Sequence, residues 1–145
     1  MDQYIEFVSN HWMMAAGLAV VIFLILQDFY ETLTRKYQIT SALNTINLLQ
    51  DDDTVVIDIR EPHEYAKGFI ERAKNITVAK IDDKLPELAP HRNHNIIVTC
   101  QSGTRTAAVC KKLEKNGFEQ VYMLHGGMTA WEDAKLPIKV RKAKR

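Results

Sequence analysis

The segment Cys100-Gln101-Ser102-Gly103-Thr104-Arg105 places a nucleophile, a flexible turn and a permanent cation in one six-residue stretch. An apolar run, Asn95-Ile96-Ile97-Val98-Thr99, leads straight into Cys100, and a helical pattern over 106–116 begins directly after Arg105. A cysteine between the end of a buried strand and the start of a helix is positioned for anion chemistry. Backbone N–H groups of such a loop converge on one point, and the helix N-terminus adds positive potential there. That field favours thiolate over thiol, and the thiolate is the nucleophile. Gly103 lets the chain curl tightly. Ser102 and Thr104 offer hydroxyls, Gln101 a side-chain amide, and Arg105 a fork of donors for an anion or for bracing the loop.

The elements that hold this loop follow from the rest of the chain. Ser41 can cap a helix carrying Ala42, Leu43, Ile46 and Leu49 at helical spacing, after a short strand at Ile39. Residues 54–59 form a β-branched run of strand length, buried on both faces. Residues 61–66 read as a brief helix with Pro62 early, closed by Gly68. Ile76 and Val78 mark a short strand, and 84–88 a helical turn. The strand 96–98, the helix 106–116 stopped by Gly117, a strand through Val121, Met123 and Leu124, a Gly126-Gly127 turn and a helix 128–134 complete the series. Strands alternating with helices predict an α/β domain with a mainly parallel sheet flanked by helices. Ligands in such sheets bind beyond the carboxyl ends of the strands, where Cys100 and Asp58 both fall.

The chain has 145 residues, about one domain, with 46% apolar content and a net charge of +1, which argues against disorder and against a nucleic-acid partner. Its two cysteines, Cys100 and Cys110, lack metal-ligand spacing, so no metal site and no disulfide framework is expected. His63, His91, His94 and His125 show no ligand spacing either and read as surface or turn residues. No cofactor is implied.

Residues 12–26 are fifteen consecutive apolar residues. Extension back through Ile5, Phe7 and Val8 reaches the roughly 20 residues of a bilayer span, with Trp12 and Tyr4 on one side and Phe29 and Tyr30 on the other at interfacial positions. Asp2 and Glu6 at the N-terminus, and Gln27-Asp28-Phe29 after the run, do not suit a cleaved signal peptide, and the alternative of a buried soluble helix is weakened by the lack of any polar face over four turns. The expected organisation is one N-terminal transmembrane helix (1–27), a juxtamembrane helix or linker (28–37), a folded domain (38–138) and a basic tail (139–145). No Lys or Arg precedes the run, whereas Arg35 and Lys36 follow it, so the positive-inside rule puts the N-terminus outside and the domain in the cytoplasm, at the inner membrane. The reducing cytoplasm suits a free thiol. The five cations of the tail either touch the anionic leaflet or remain solvated.

The motifs in combination resemble the rhodanese-like sulfurtransferase family over about residues 38–138. Asp58-Ile59-Arg60-Glu61-Pro62-His63-Glu64-Tyr65 is similar to the family's Asp-x-Arg-x-x-x-Glu-Tyr segment, and Gly68-Phe69-Ile70 with Ala73 and Asn75-Ile76 to its Gly-His-Ile…Ala-x-Asn-Ile segment. Residues 100–105 resemble the catalytic loop. Gly117-Phe118, Leu124-x-Gly126-Gly127 and Trp131 resemble the closing signature. Phe69 stands where the family usually has His, and Glu71-Arg72 where it commonly has Pro-Gly. The span lies outside the resemblance, so the whole is similar to a membrane-anchored single-domain rhodanese.

The resemblance implies a two-step transfer: Cys100 attacks the outer sulfur of a donor such as thiosulfate, and the resulting persulfide passes its sulfur to a thiophilic acceptor. Donor and acceptor are small molecules or proteins, and a membrane protein is a candidate partner. Gln101, Ser102, Gly103, Thr104, Arg105 and Arg60 are the implied substrate-binding residues, supported by Asp58. Arg60 and Asp58 admit a structural reading too, because strand-end polar groups must be satisfied in any fold. Cys110 is a core residue or a resolving thiol. Cysteine-dependent phosphatases are the nearest chemical rival, but their Cys-x5-Arg spacing exceeds the four residues between Cys100 and Arg105. A non-enzymatic, membrane-anchored interaction module is the alternative function.

Overall fold

The computed structural model describes residues 11–140. The expected N-terminal flank of the span (Asp2, Tyr4, Ile5, Glu6, Phe7, Val8) and tail cations Arg141, Lys142, Lys144 and Arg145 lie outside the described residues. The chain divides into two units between Arg35 and Lys36. In the first, helix α1 (Trp12–Thr34) is apolar over its first four turns and contains no proline. Its 23 residues make it long and apolar enough to cross a membrane, at 1.5 Å per residue a length of roughly 34 Å. The helix takes residues 28–34 of the expected juxtamembrane segment as well. A change in polarity does not interrupt a backbone ladder that has no helix breaker in it.

The second unit contains β1 (Gln38–Thr40), α2 (Ala42–Leu48), β2 (Val55–Asp58), α3 (Pro62–Tyr65), β3 (Lys74–Asn75), α4 (Ile81–Leu88), β4 (Asn95–Thr99), α5 (Thr106–Lys115), β5 (Gln120–Leu124) and α6 (Gly127–Asp133). The strands form one parallel sheet in the order β1-β5-β4-β2-β3. The expected α/β architecture is therefore observed. Its central strand β4 and the neighbouring β2 are the β-branched runs, buried on both faces as a covered parallel sheet requires.

Side-chain alternation along these strands builds two cores. Val55, Ile57, Ile96 and Val98 face α4 and α5, packing with Ile81, Leu88, Val109 and Leu113. Val56 and Ile97 face the other way, toward Ala42, Tyr65, Met128 and Trp131. Cys100 continues the register of Ile96 and Val98 and so falls on the α5 side, while Asp58 continues that of Val56 onto the opposite side.

Helix ends match the sequence signals closely. Ser41 Oγ accepts the Asn44 amide at 3.2 Å, Glu61 and Glu64 form a reciprocal capping box with Pro62 in the first turn, and Gly117 follows α5 at φ +85°. Two elements differ from expectation. The strand at Ile76 and Val78 is instead Lys74–Asn75, with Ile76 donating one further bond to the Asp58 carbonyl at 3.0 Å. Val78 opens a 3₁₀ turn that runs into α4. The expected turn at 84–88 is the second half of that eight-residue helix, which accommodates Pro86. Apolar residue type revealed these segments, but with so few residues it could not distinguish pairing from helix.

The two departures from the family pattern acquire structural meaning. Phe69 stacks on Tyr65, ring centroids 4.2 Å apart, and exchanges both backbone hydrogen bonds with Lys139 at 2.8 and 2.9 Å. Arg72, where the family commonly carries Gly, sits at φ +66°. A side chain there is strained by roughly 1 kcal/mol, and its ion pair with Asp52 is largely exposed and offers little in return. Arg72→Gly is expected to stabilise the fold by about 0.5–1 kcal/mol, read as a higher urea midpoint of the full chain.

Candidate active site

The loop owes its shape to backbone bonds that pull its carbonyls outward. Cys100 O accepts the Met128 amide at 2.8 Å, and Gln101 O accepts the Thr129 amide at 3.0 Å and the Thr129 hydroxyl at 2.9 Å. With these carbonyls held by the first turn of α6, the following N–H groups turn toward the cysteine. The Gly103 amide donates to Cys100 Sγ at 3.0 Å, and Gly103 reaches this geometry at φ +90°. Gly103 O in turn accepts the Thr106 amide at 3.3 Å, joining the loop to α5.

Cys100 is 0% exposed. Burial is the largest influence on its thiol and would raise the pKa. The Thr106 hydroxyl and the amides of Arg105, Gly103 and Ser102 together outweigh it, and the thiol titrates below its ordinary value. Thr106 is itself fully buried, and its hydroxyl makes no hydrogen bond of ordinary geometry among the described residues, so it acts on the sulfur by proximity while the Gly103 amide makes the direct bond. The sulfur thus sits beneath a ring of donors, with hydrocarbon behind it.

Arg60 and Asp58 occupy the structural position that strand-end accounting suggested. Asp58 accepts the Arg60 amide at 3.0 Å and its guanidinium at 2.7–3.1 Å. Both residues are buried. The Arg60 fork also donates to Gly68 O at 2.6 Å and to Gln101 Oε1 at 3.0 Å. Arg60 therefore meets the loop through the Gln101 side chain, whose Nε2 lies 3.3 Å from Thr129 Oγ1. Ser102 and Thr104 hydroxyls face one another at 3.2 Å on the exposed side of the loop, so the contribution of residue 102 to the sulfur is its amide. Arg105 gives the sulfur its amide and directs its guanidinium to Glu64, 3.6 Å away.

Cys110 is sealed in the core, its thiol pushed up to about 12 chiefly by burial. That removes it as a nucleophile near neutral pH. His91 and His94 face each other with Nδ1 atoms 3.2 Å apart. Among the described residues no group of three or more His, Cys, Asp or Glu is placed to hold a metal ion.

Four contributors escaped the sequence reading: Thr106, Thr129, Gly127 and Glu64. Thr106 was visible as a hydroxyl at the first helical position beyond the loop. Gly127 was visible as half of a Gly-Gly turn but not as a contact of the loop, and Thr129 had no local signal, because their role is to receive a loop from elsewhere in the chain. A Cβ on Gly127 would collide with Cys100 O, and its φ is +57°.

Comparison with known proteins gives a consistent result. The family profile described as Rhodanese-like domain matches residues 41–134. YibN of Escherichia coli K12 is 27% identical over 139 residues, covering 95% of this chain and 97% of YibN. The putative sulfurtransferase YtwF of Bacillus subtilis is 35% identical over 100 residues, 69% of this chain and 94% of YtwF. Among solved structures, a rhodanese-like domain protein from Staphylococcus aureus superposes with a TM-score of 0.63 at 28% identity, covering 72% of this chain and 99% of that one.

Two substitutions probe the donor ring. Thr106→Val removes a hydroxyl that helps to lower the thiol pKa, so less thiolate is present at pH 7. Alkylation of Cys100 by iodoacetamide at that pH is expected to slow. Gly127→Ala is expected to cost about 1–3 kcal/mol of stability, read by urea unfolding, through its backbone conformation and the displaced Cys100 carbonyl.

Proposed function

The chain belongs to the rhodanese-like domain family, and on that premise we propose that it is a membrane-tethered sulfurtransferase carrying sulfane sulfur as a persulfide on Cys100. The observation that carries this reading is the turn of the loop onto the sulfur: the Gly103 amide donates to Cys100 Sγ at 3.0 Å, and the neighbouring amides of Ser102 and Arg105 help it to lower the thiol pKa. They stabilise negative charge on a sulfur atom without adding a counter-charge that would hold it back as a nucleophile.

The reaction divides into two displacements. The Cys100 thiolate attacks the outer sulfur of a donor, of which thiosulfate is the simplest. A new S–S bond forms on Cys100, the donor's S–S bond breaks, and sulfite leaves with the electron pair. An acceptor thiolate then attacks the outer sulfur of the persulfide, takes it, and returns Cys100 as thiolate. The loop amides face the charge in every state of this cycle. Two displacements through a covalent intermediate replace one transfer between two anions.

The tether rests on α1, which is long and apolar enough to span a bilayer, and on Arg35 and Lys36 beyond it. These support one pass through the inner membrane, with the N-terminus outside and residues 36–145 in the cytoplasm. Arg60 and Gln101 support the loop in this reading, and a membrane protein is a suitable donor or acceptor.

Full-length protein incubated with thiosulfate, or with a low-molecular-weight persulfide, is expected to gain one sulfur atom on Cys100 by mass spectrometry. Cys100→Ser should gain none, and Cys110→Ala should load like the parent. Because the thiol pKa is depressed, the loading rate should rise with pH and reach its plateau at a lower pH than a free cysteine does. Absence of any sulfur on Cys100 with both donors refutes the proposal.

A further inference from the structure

The charged groups that contact the loop are paired. Arg60 is matched by Asp58 within the fold. Arg105, the cation at the mouth, faces Glu64, with side chains 44% and 24% exposed. Glu64 is held by more than this pair: its Oε2 accepts the Glu61 amide at 3.0 Å in the capping box of α3. That bond is the principal reason its carboxyl titrates below the usual range, with Arg105 adding to it. Glu64 is therefore an anion at neutral pH, fixed in place by its own helix.

We propose that Glu64 is a specificity-determining residue: by neutralising Arg105 it turns the Cys100 loop away from dianionic donors such as thiosulfate and toward neutral or singly charged ones, the persulfides of small thiols or of protein cysteines. The inference rests on the sulfurtransferase reading for the identity of the donors. The electrostatic part stands on the ion pair alone. A dianion approaching the Cys100 thiolate meets like charge, and among the described residues the two arginines that contact the loop, Arg60 and Arg105, are each matched by a carboxylate. A persulfide of a small thiol or of a protein cysteine carries at most one negative charge on its sulfur pair and meets a smaller penalty; in its protonated form its outer sulfur reacts by the same displacement, with a thiolate as leaving group in place of sulfite.

The charge assignment is measurable without turnover. Iodoacetate and iodoacetamide alkylate the same thiolate and differ by one negative charge. Cys110, buried and with its thiol raised to about 12, does not compete. Rates for full-length protein at pH 8, where an ordinary imidazole is neutral, and at low salt give a ratio that reports the field at the sulfur. Glu64→Gln keeps an acceptor for the Glu61 amide and removes the charge. The iodoacetate-to-iodoacetamide ratio is expected to rise about twofold and kcat/KM for thiosulfate about fourfold, both gains vanishing at high salt. Arg105→Gln should move the ratio the opposite way. An unchanged ratio in both variants, or a Cys100 that neither reagent modifies, overturns the assignment. A ratio that shifts as stated in a protein that never gains sulfur from any donor upholds the charge assignment and refutes the sulfurtransferase reading instead.

Discussion

The outward pull on two carbonyls organises everything else in this fold. A loop that presents amides to a sulfur must send the attached carbonyls elsewhere, and a buried carbonyl without a partner costs about 1–3 kcal/mol. The first turn of α6 meets that demand with the Met128 and Thr129 amides. Gly127 allows the approach, since any side chain there would occupy the space of Cys100 O. The anion-facing surface of the loop is thus a consequence of what lies behind it. The nucleophile and its receiving turn come from neighbouring strands, β4 and β5, which a parallel sheet aligns so that both end at the same edge.

The buried Asp58–Arg60 pair performs a related task from the other side. Burying both charges is expensive, and their attraction repays it only with further hydrogen bonds in place. Here every arm of the guanidinium is used: on Asp58, on Gly68 O and on Gln101 Oε1. The last of these makes the pair part of the loop's support. It links the end of β2 to the segment after β4 by a bond of fixed geometry, which a lysine ammonium would not reproduce. Arg60 braces the fold and, through Gln101, the loop.

The sequence carried the strand–loop–helix unit because its signals are local. Ile96, Ile97 and Val98 declare a covered strand, Gly103 a turn, and Thr106 to Gly117 a helix with its stop. The two-sided alternation of Val55-Val56-Ile57 was equally plain. What it did not carry was long-range pairing. Thr129 against Gln101, Glu64 against Arg105 and Phe69 against Lys139 join residues 28, 41 and 70 positions apart, and neither partner's spacing betrays the other. Arg72 is a different case. Its side chain occupies a left-handed position that residue type argues against, so only the family's Gly at that place hinted at the turn.

Full burial of Cys100 follows from the same register that identifies it. As the next inward residue after Val98 it must face α5, and its sulfur reaches donors only because the loop folds back over it. A resting thiolate in that position is shielded from indiscriminate reagents. On the proposed route the shielding is not constant. A persulfide lengthens the side chain by one S–S bond, about 2 Å, more than a closed ring of amides can contain unchanged. The outer sulfur must then either displace the Gly103 contact or extend toward the mouth, beside Ser102, Thr104 and Arg105. Either way the outer sulfur takes a place that the resting thiolate does not. The reactive sulfur becomes available to an acceptor at the stage when transfer is due, and the donors that held the thiolate remain in place to receive its charge again.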